Sequence, residues 1–363
     1  MLFPSTRGFA VVDAAAIGRN FCLLRTLARQ SNPNARPIAV VKANAYGHGI
    51  AVAVPALLAA GCDFSAVATP DEALALRTLA PQADILVLGY TPPQLAPALA
   101  AAGITQTVFS PTYARSLGEA LQSKPLHIHL KIDGGMCRLG LDPTDMEGQL
   151  LCLEQRGLIP TGLFTHFPTA DTDQMASKAA LAAFLACRRS LQQAGFSLFS
   201  HAAASAAALT LPEAILDGIR PGLALYGIPP VQTTLPLTPA LSLHAPLVQL
   251  REVPAGTKVG YGGAFVTRRP TRIGVLPIGY ADGLPRALSG LVTELYHGNS
   301  RYPVPLVGRI CMDQAMVDVT DTPACIGDPI CLWQDATAVA KRLSTIPYEV
   351  LTTLSQRLYR LTP

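Results

Sequence analysis

The segment around Lys42 combines features that amine chemistry needs. Lys42 directly follows the apolar run Ala39–Val41, and the loop Ala45–Gly49 comes next. Lysine is rare inside apolar runs unless it is paired or chemically used. A desolvated lysine has a lowered pKa, so it can act as a nucleophile or a base near neutral pH, or form a Schiff base with a carbonyl cofactor. The alternative is a lysine that ends a strand and extends its amine into solvent. The small residues of the loop let backbone amides approach a ligand, which favours the chemical interpretation.

Four other residues are candidates for the same chemistry. Arg220 lies in a predicted strand and stays protonated in practice, so it would donate hydrogen bonds without giving up a proton. Ser205 precedes the predicted helix Ala206–Leu211, and a helix N-terminus attracts anions. Tyr261 and His166 are ambiguous when taken alone. Tyr-Gly-Gly is common in turns, and a histidine in an apolar segment is more often a satisfied core residue than a ligand.

These candidates need a scaffold, and the first two-thirds of the chain alternate β-rich runs with Ala-rich and Leu-rich helical segments. The predicted strands are Pro37–Val41, Phe64–Ala68, Asp84–Leu88, Thr107–Phe109, Ile128–Ile132, Leu158–Thr165, Phe199–Ala202 and Gly218–Leu225. Strand and helix pairs in this number predict a closed (β/α)8 barrel. An open doubly wound sheet is the alternative, but no GxGxxG motif follows the first strand.

The barrel explains where the candidates fall. Active sites of such barrels are built at the C-terminal ends of the strands, and phosphate sites commonly follow the seventh and eighth strands. Lys42 ends the first predicted strand. Ser205 follows the seventh predicted strand, and Gly222 lies within the eighth. The same end of the barrel would therefore hold all three.

The pattern changes near residue 230. Two Pro-rich stretches, Gly227–Pro230 and Leu235–Pro239, indicate a linker, and short β-type runs with Gly and Pro punctuation follow. The last two predicted segments, Ala336–Arg342 and Tyr348–Leu354, are weakly helical in pattern. We therefore expect a barrel domain over 1–237 and a mainly antiparallel β domain over 238–363.

Composition excludes several classes of protein. The chain has 363 residues, of which 50% are hydrophobic and 14% charged, and the formal net charge is +4. This length predicts two domains, or one large barrel with an addition. No apolar run approaches the roughly 20 residues of a membrane span, so we expect no membrane contact. The basic pairs Arg188-Arg189 and Arg268-Arg269 are short and lack interleaved aromatic residues, so we expect no nucleic-acid partner.

The N-terminus and the cysteines indicate the compartment. Met1–Arg7 has no charged segment followed by an apolar one, so we expect a cytoplasmic protein without a secretory signal. The eight cysteines are widely spaced and form no CxxC pair. We expect free thiols, no disulfide framework and no metal site.

The run Val40–Gly49 resembles the cofactor-lysine motif of alanine racemases, which are fold-type III pyridoxal-phosphate enzymes. Further blocks of that family follow in order, and they are His129–Gly140, Thr165–Phe167, His201–Ser205, Gly218–Gly227, Val259–Gly263, Gly279–Gly283, Gly308–Gln314 and Tyr348–Val350. Val11–Asp13 and Asn20 resemble the start of the family. The resemblance covers essentially the whole chain. One block alone would be weak evidence for the family, but the order and spacing of all the blocks together are specific to it.

The resemblance implies a fold and an activity. The barrel domain would carry pyridoxal 5′-phosphate, and the extreme N-terminus would pair with the β domain. Two copies would form a head-to-tail homodimer with shared active sites. The enzyme would interconvert L-alanine and D-alanine with two bases, Lys42 and Tyr261, on opposite faces of the substrate. Its product would supply peptidoglycan, or the enzyme would serve D-alanine catabolism.

The resemblance also assigns roles to single residues. Lys42 would hold the cofactor covalently, Arg220 would bond its pyridine nitrogen and His166 would support Arg220. The implied phosphate ligands are Tyr46, Ser205, Gly222, Leu223 and Tyr348. Arg138 would contact the cofactor phenolic oxygen and the substrate carboxylate, which the backbone amide of Met312 would also bind. Tyr280 and Tyr348 would line the substrate entrance. Lys131 corresponds to a position that is often carbamylated and then orients Arg138. An unmodified Lys131 would repel Arg138 instead.

Three positions depart from the family pattern. Ala204 replaces the usual Asn of the His-x-x-Asn-Ser block, Gly134 stands where Thr is common, and Cys137 stands where Gly or Asn is common. These changes bear on cofactor affinity and rate, while the implied catalytic residues are all present.

Other functions remain open from the residues. Another fold-type III enzyme is one rival. Decarboxylases typically place an acidic group at the pyridine nitrogen, whereas this chain has Arg220, and broad-specificity racemases usually carry a secretory signal. A cofactor carrier made of the barrel alone would lack the β domain that contains Tyr261 and Met312. A barrel with a purely structural or binding role would not need the Lys42 motif.

Overall fold

The computed structural model describes residues 7–363, so the expected pairing of the first few residues lies outside the described part of the chain. The chain divides into two compact units. The barrel unit comprises Ala15–Ala45 and Ala53–Thr238. Among the described residues, the β unit comprises 7–14, Tyr46–Val52 and Pro239–Pro363. The break between Thr238 and Pro239 lies one residue from the expected boundary, whereas composition gives no sign that Tyr46–Val52 belongs with the β unit.

The barrel unit contains a closed parallel sheet. In spatial order its strands are Arg36–Pro37, Gly218–Arg220, Phe199–Ala204, Leu158–Phe164, Leu126–Lys131, Thr105–Val108, Asp84–Val87, Phe64–Val67 and Ala39–Val40. The two strands at the ends of this order are halves of one strand interrupted at Ile38. Ile38 N donates to Ile219 O (2.7 Å), and Val41 N donates to Ala66 O (2.9 Å). The first strand therefore bonds both neighbours, which closes eight strand positions into a barrel and confirms the predicted fold class.

Helices connect the strands. Their bounds are Ala14–Ser31, Ile50–Ala59, Pro70–Leu79, Ala96–Ala101, Pro111–Ala120, Met146–Leu153, Gln174–Gln193 and Ser205–Thr210. Several begin at a good N-cap, since Ser110, Asp145 and Asp173 each accept a backbone N–H of the first turn. Leu and Ala side chains of these helices, such as Leu24 and Leu76, are fully buried. The apolar composition therefore builds the core between barrel and helices.

The last predicted strand, Gly218–Leu225, is too long. The strand ends at Arg220, and Leu223–Tyr226 forms a 3-10 turn. Pro221 has no N–H to continue the ladder, which is the physical reason for the early end. The correction matters because it places the backbone of Gly222 and Leu223 beyond the strand, at the rim of the barrel.

The β unit is a mainly antiparallel sheet, as predicted. In spatial order its strands are Gln249–Val253, Thr271–Leu276, Ala315–Asp318, Ser300–Val307, Val292–His297, Pro329–Trp333, Leu241–Pro246, Phe9–Val12 and Tyr359–Leu361. Among the described strands of this sheet, only Phe9–Val12 and Tyr359–Leu361 pair in parallel. The predicted single run Leu241–Val253 is two strands, because Pro246 ends the first and each half pairs with a different neighbour.

Short elements complete the β unit. Lys258–Val259 and Phe265–Val266 form a separate small hairpin. The helices are Ala336–Leu343 and Pro347–Thr352. No helix within residues 7–363 has both the length and the apolar character that a membrane crossing requires.

Candidate functional site

Lys42 lies at the C-terminal end of the first barrel strand, where the sequence predicted the chemistry. Its side chain is partly buried. Burial, and then the positive charge of Arg138, lower the pKa of Lys42, while the Glu72 carboxylate opposes the shift. A lowered pKa increases the fraction of free amine near neutral pH, which is the form that reacts with an aldehyde or accepts a proton.

The backbone after Lys42 is strained. Ala43, Asn44, Ala45 and Tyr46 have φ of 51°, 53°, 55° and 51°, a left-handed turn without glycine. For L-residues this conformation costs roughly 1–2 kcal/mol each. Strain of this size persists only where the surroundings impose it, and it clusters at functional sites.

Glu72 helps to impose that conformation. Its Oε1 accepts from Ala43 N (2.6 Å), and its Oε2 accepts from Ala68 N (2.8 Å). The motif Thr69–Glu72 has the pattern of a capping box, in which the carboxylate would bond the Thr69 amide. Here the carboxylate instead joins two strand ends of the barrel. Glu72 is not among the residues predicted from the sequence, and its capping-box pattern was the signal that pointed to it.

Arg220 is buried and extensively bonded. Its Nη1 donates to His201 O (2.7 Å) and its Nη2 to Thr165 O (2.6 Å) and Ala202 O (3.0 Å). Burial lowers the pKa of Arg220 to about 9, which still leaves it protonated at neutral pH. These bonds occupy the two terminal nitrogens and fix the plane of the guanidinium, so the direction of its Nε–H is fixed as well.

Two histidines continue this network through the barrel interior. Arg220 Nη1 also lies 2.7 Å from His201 Nδ1, and His201 Nε2 lies 2.9 Å from His129 Nδ1. A guanidinium only donates, so His201 Nδ1 accepts and its Nε2–H donates to His129. Burial lowers the pKa of His129 to about 3 and that of His201 well below its usual value, and the Arg220 charge adds to both shifts. Both rings are therefore neutral.

The sequence analysis missed His129 and His201 as functional residues. It named His166 as the support of Arg220, and the structure places His166 near that charge. Burial, followed by the Arg220 charge, lowers the pKa of His166 to about 3. Among the described residues, however, the hydrogen bonds of Arg220 go to His201, Thr165 and Ala202, and none goes to His166. The available signal was that His129 and His201 both interrupt apolar strands.

Lys131 and the loop that follows it carry two further candidates. Lys131 is buried, and burial together with the Arg138 charge lowers its pKa to about 8. The Asp133 carboxylate accepts from the amides of Gly135 (3.2 Å), Met136 (3.0 Å) and Cys137 (3.0 Å). This clamp shapes the loop that presents Arg138, whose side chain is exposed.

The two unusual residues of this loop have different consequences. A Cβ on Gly134 would lie 2.4 Å from His166 O, so no larger residue fits without movement. Cys137 has φ of 52°, the left-handed region that Gly and Asn tolerate and other residues do not favour. Gly134 therefore suits this loop, whereas Cys137 is strained in it.

Ser205 and Gly222 meet at the rim of the barrel. Ser205 Oγ accepts from Gly222 N (2.9 Å) and Ala224 N (3.3 Å). The helix begins at Ser205, one residue earlier than predicted, and its N-cap Ala204 has no side-chain hydrogen bond. The Gly222 amide thus orients the Ser205 hydroxyl, whose own proton is left for an anion, beside the amide of the neighbouring Leu223.

In the β unit, Tyr46 and Tyr348 lie side by side. Their ring centroids are 5.9 Å apart, and burial followed by the Tyr348 neighbour raises the pKa of Tyr46. Gly47 must lack a side chain, because a Cβ there would lie 2.1 Å from Leu351 O. Because its pKa is raised, the Tyr46 phenol remains protonated near neutral pH.

The remaining predicted residues lie on exposed loops of the β unit. Tyr261 is 69% exposed, Met312 54% and Tyr280 46%. Tyr280 and Met312 belong to adjoining backbones, since Tyr280 N donates to Cys311 O (3.0 Å) and Ala281 N to Met312 O (3.0 Å). Tyr261 lies in a glycine-rich turn, where Gly262 has φ of 69°.

Comparison with known proteins supplies independent information. The family model "Alanine racemase, N-terminal domain" matches residues 12–230, and "Alanine racemase, C-terminal domain" matches residues 240–362. Alanine racemase 2 of Caldanaerobacter subterraneus subsp. tengcongensis is 38% identical, and the match covers 96% of this chain and 93% of that protein. The alanine racemase of Helicobacter pylori is also 38% identical, over 97% of this chain and 98% of that protein.

Solved structures agree with these matches. The alanine racemase of Bacillus anthracis with bound L-Ala-P superposes with a TM-score of 0.90 at 32% identity, covering 99% of this chain and 96% of that one. The alanine racemase of Bartonella henselae with covalently bound pyridoxal phosphate has a TM-score of 0.83 at 32% identity, over 99% of this chain and 100% of that one. A likeness in sequence and structure along the whole length shows that this chain belongs to the alanine racemase family.

Proposed function

We propose that this alanine racemase binds pyridoxal 5′-phosphate in its barrel unit and interconverts L-alanine and D-alanine with Lys42 and Tyr261 as the two bases. The observation that carries the proposal is the partly buried Lys42 with a lowered pKa, at the end of a barrel strand and followed by a strained turn. The covalently bound pyridoxal phosphate of the Bartonella henselae relative supports the choice of cofactor.

The donors of the barrel unit fit this cofactor. Lys42 offers a reactive amine, Arg220 a fixed cation, and Ser205 with the Gly222 and Leu223 amides a set of donors for a phosphate. Tyr46 and Tyr348 add two phenolic donors of the β unit, which we assign to the same phosphate. Each chemical part of pyridoxal phosphate thus has a matching partner in this chain.

When bound, the cofactor withdraws electrons from the substrate and so acidifies its Cα–H bond. Lys42 then accepts or donates the proton at Nζ on one face of the substrate. The Tyr261 hydroxyl does the same on the opposite face, so that a proton leaves one face and another returns to the other.

Arg220 limits the chemistry to racemisation. It remains protonated, so it would hold the pyridine nitrogen of the cofactor by a donated hydrogen bond without giving up its proton. Arg220 would thereby weaken the electron withdrawal that the cofactor supplies, which would favour return of the proton over side reactions such as transamination. The neutral rings of His201 and His129 hold Arg220 in place without competing for its charge, and we assign His166 a supporting role beside it.

Arg138 and Met312 recognise the substrate in this proposal. The Arg138 guanidinium and the Met312 amide bind the alanine carboxylate, and the rings of Tyr280 and Tyr348 narrow the entrance to small side chains. Lys131 is carbamylated and then attracts Arg138 as an anion. Its lowered pKa of about 8 supports this assignment, because carbon dioxide reacts with the neutral amine.

A homodimer with shared active sites completes the proposal. Tyr261, Tyr280 and Met312 are large side chains on exposed loops, which is the character of a surface that a second copy covers. We assign the enzyme to the cytoplasm, where its product serves peptidoglycan synthesis or where the reverse reaction degrades D-alanine.

Hydrogen exchange tests the two bases. Wild-type enzyme, Lys42→Ala and Tyr261→Phe are incubated with each alanine enantiomer in deuterated water. We expect the yellow cofactor absorbance to vanish in Lys42→Ala. Tyr261→Phe should keep the absorbance and should lose Cα–H exchange with only one enantiomer. Equal loss with both enantiomers would contradict two bases on two faces, and a wild-type protein without the absorbance band would contradict the cofactor assignment.

A further inference from the structure

Three side chains with metal-binding donors meet in the β unit. They are His297, Cys325 and Asp328, and a nitrogen, a sulfur and an oxygen from them all lie within 4.8 Å of one another. His297 ends the strand Val292–His297, whereas the other two precede the strand Pro329–Trp333. No other such group of His, Cys, Asp or Glu occurs within residues 7–363.

Hydrogen bonds hold this cluster in shape. Asp328 Oδ2 lies 2.8 Å from His297 Nδ1 and accepts from Cys325 N at 2.8 Å. Asp328 N donates to Cys325 O (3.1 Å), which closes a turn that Gly327 permits with a φ of 96°. The turn is tied to the sheet as well, because Gly327 N donates to Leu247 O (2.7 Å). The donors are therefore placed by backbone that is already ordered.

We propose that His297, Cys325 and Asp328 bind one Zn²⁺ ion. Imidazole, thiolate and carboxylate are its usual ligands, and a thiolate disfavours the hard cations Mg²⁺ and Ca²⁺. Tetrahedral zinc needs a fourth ligand. The Cys325 side chain is exposed and His297 is partly exposed, so a water molecule can supply that ligand and the ion can enter from solvent.

The site is consistent in charge and protons. A Cys325 thiolate and the Asp328 carboxylate together balance the two charges of the ion. Binding releases the thiol proton to solvent. The proton on His297 Nδ1 moves to Nε2, so that Nδ1 binds the ion and the imidazole stays neutral. No oxidation or reduction takes place. The bound ion therefore links the strand Val292–His297 to the turn before the strand Pro329–Trp333.

This site is separate in its residues from the proposed racemase chemistry. None of the three side chains is among the groups assigned to cofactor, substrate or proton transfer. The expected effect of zinc is therefore on the stability of the β unit, since an ion that binds only the folded state stabilises it by mass action. The competing explanation is that Asp328 only caps the turn and orients His297.

Metal titration of the holoenzyme tests the proposal. Protein is stripped with a chelator and then titrated with Zn²⁺ against a chromophoric competitor, and with Co²⁺ as a spectroscopic substitute. We expect one equivalent per chain, thiolate-to-cobalt charge transfer, and ligand-field bands at longer wavelength than the cofactor absorbs. Zn²⁺ should also raise the melting temperature.

Variants identify the ligands. Cys325→Ser keeps the turn and should abolish the charge-transfer band and lower Zn²⁺ affinity at least tenfold, and His297→Gln should lower it similarly. Cys137→Ser removes the other exposed free thiol and should leave the Zn²⁺ affinity and the charge-transfer band unchanged. The proposal is overturned if wild type binds no stoichiometric Zn²⁺ or if Cys325→Ser binds it as tightly as wild type. It is also overturned if the charge-transfer band is lost in Cys137→Ser and kept in Cys325→Ser. Circular dichroism confirms that each variant is folded before its affinity is interpreted.

Discussion

Single side chains decide how Lys42 is presented. The strained turn Ala43–Tyr46 has no glycine to relieve it, and the Glu72 carboxylate bonds the first amide of that turn. Glu72 also raises the pKa of Lys42 against the effect of burial. One carboxylate therefore controls both the position and the protonation of the proposed base, as a positioning residue.

Replacing Glu72 by Gln should disturb both properties. The amide oxygen can accept only one of the two backbone bonds, and the NH2 group would face the other N–H, at a cost of about 1–3 kcal/mol. Loss of the carboxylate charge also moves the pKa of Lys42 further down. We expect kcat to fall several-fold with a smaller change in KM, and the acidic limb of the pH profile to shift to lower pH. Steady-state kinetics between pH 6 and 10 measure this shift.

Glu119→Gln is the matched control, since Glu119 is an exposed carboxylate on the helix Pro111–Ala120. An unchanged pH profile in Glu72→Gln would show that this carboxylate is only structural.

Cys137 has a left-handed backbone conformation, with φ of 52°, which suits the Gly or Asn that is common at this position in the family. Because Asn tolerates the left-handed region better than Cys does, Cys137→Asn should raise the free energy of unfolding by up to about 1 kcal/mol. Urea denaturation measures the change. Cys137→Ala also removes the thiol but keeps the strain, so it should bring no gain, and an equal gain from both would refute the backbone explanation.

At the scale of elements, the barrel rim depends on how strands end and helices begin. The last strand stops at Arg220 because Pro221 cannot donate, which frees the Gly222 amide to bond Ser205. The N-cap residue of the helix Ser205–Thr210 is Ala204, which has the extended backbone of an N-cap but makes no side-chain hydrogen bond to the helix. This helix therefore lacks the side-chain cap that usually stabilises a helix start.

Ala204→Asn should supply the missing cap. An Asn at an N-cap is worth about 1 kcal/mol relative to Ala, so the free energy of unfolding should rise by about that amount and cofactor affinity should increase. Denaturant titration and the cofactor dissociation constant measure the two effects. Ala206→Asn puts the same side chain inside the helix and should destabilise it slightly. A loss of stability in Ala204→Asn would show that this side chain clashes at the barrel rim.

At the scale of the whole molecule, buried neutral histidines make stability depend on pH. Burial lowers the pKa of His129 to about 3 and that of His244 to about 4, and the pKa of His201 lies well below its usual value. An unfolded histidine takes up its proton near pH 6.5, so the unfolded state binds more protons between that pH and the lowered pKa. Stability contributed by these groups is present above pH 6.5 and is lost as pH falls below it.

Urea unfolding from pH 7.5 to 4.5 tests this dependence. Each buried histidine should add a slope of up to ~1.4 kcal/mol per pH unit below 6.5. The barrel unit holds His129 and His201 and the β unit holds His244, so the barrel unit should lose stability more steeply. His129→Gln should reduce the slope by one proton, and His127→Gln, at an exposed position of the same strand, should not. An equal slope in both variants would contradict a neutral buried His129.

Local patterns in the sequence were enough to predict much of this molecule. Strand and helix periodicity predicted the barrel, the Pro-rich stretches predicted the change of architecture, and Lys42 stood out because an amine at the end of an apolar strand is unusual. These features depend on residues close together in the chain. For the same reason the strand bounds near Pro221 and Pro246 were wrong, since a proline ends a ladder only where a neighbour needs its N–H.

The sequence by itself determined the fold class, the family and the residue types available for chemistry. Only the tertiary structure decided which of those residues meet. His201 rather than His166 bonds Arg220, Glu72 bonds the turn after Lys42, and Asp328 joins His297 to Cys325. These contacts depend on which strands are neighbours and on their register. Periodicity shows which side of a strand a residue occupies, but not which partner it faces, so no local pattern specifies them.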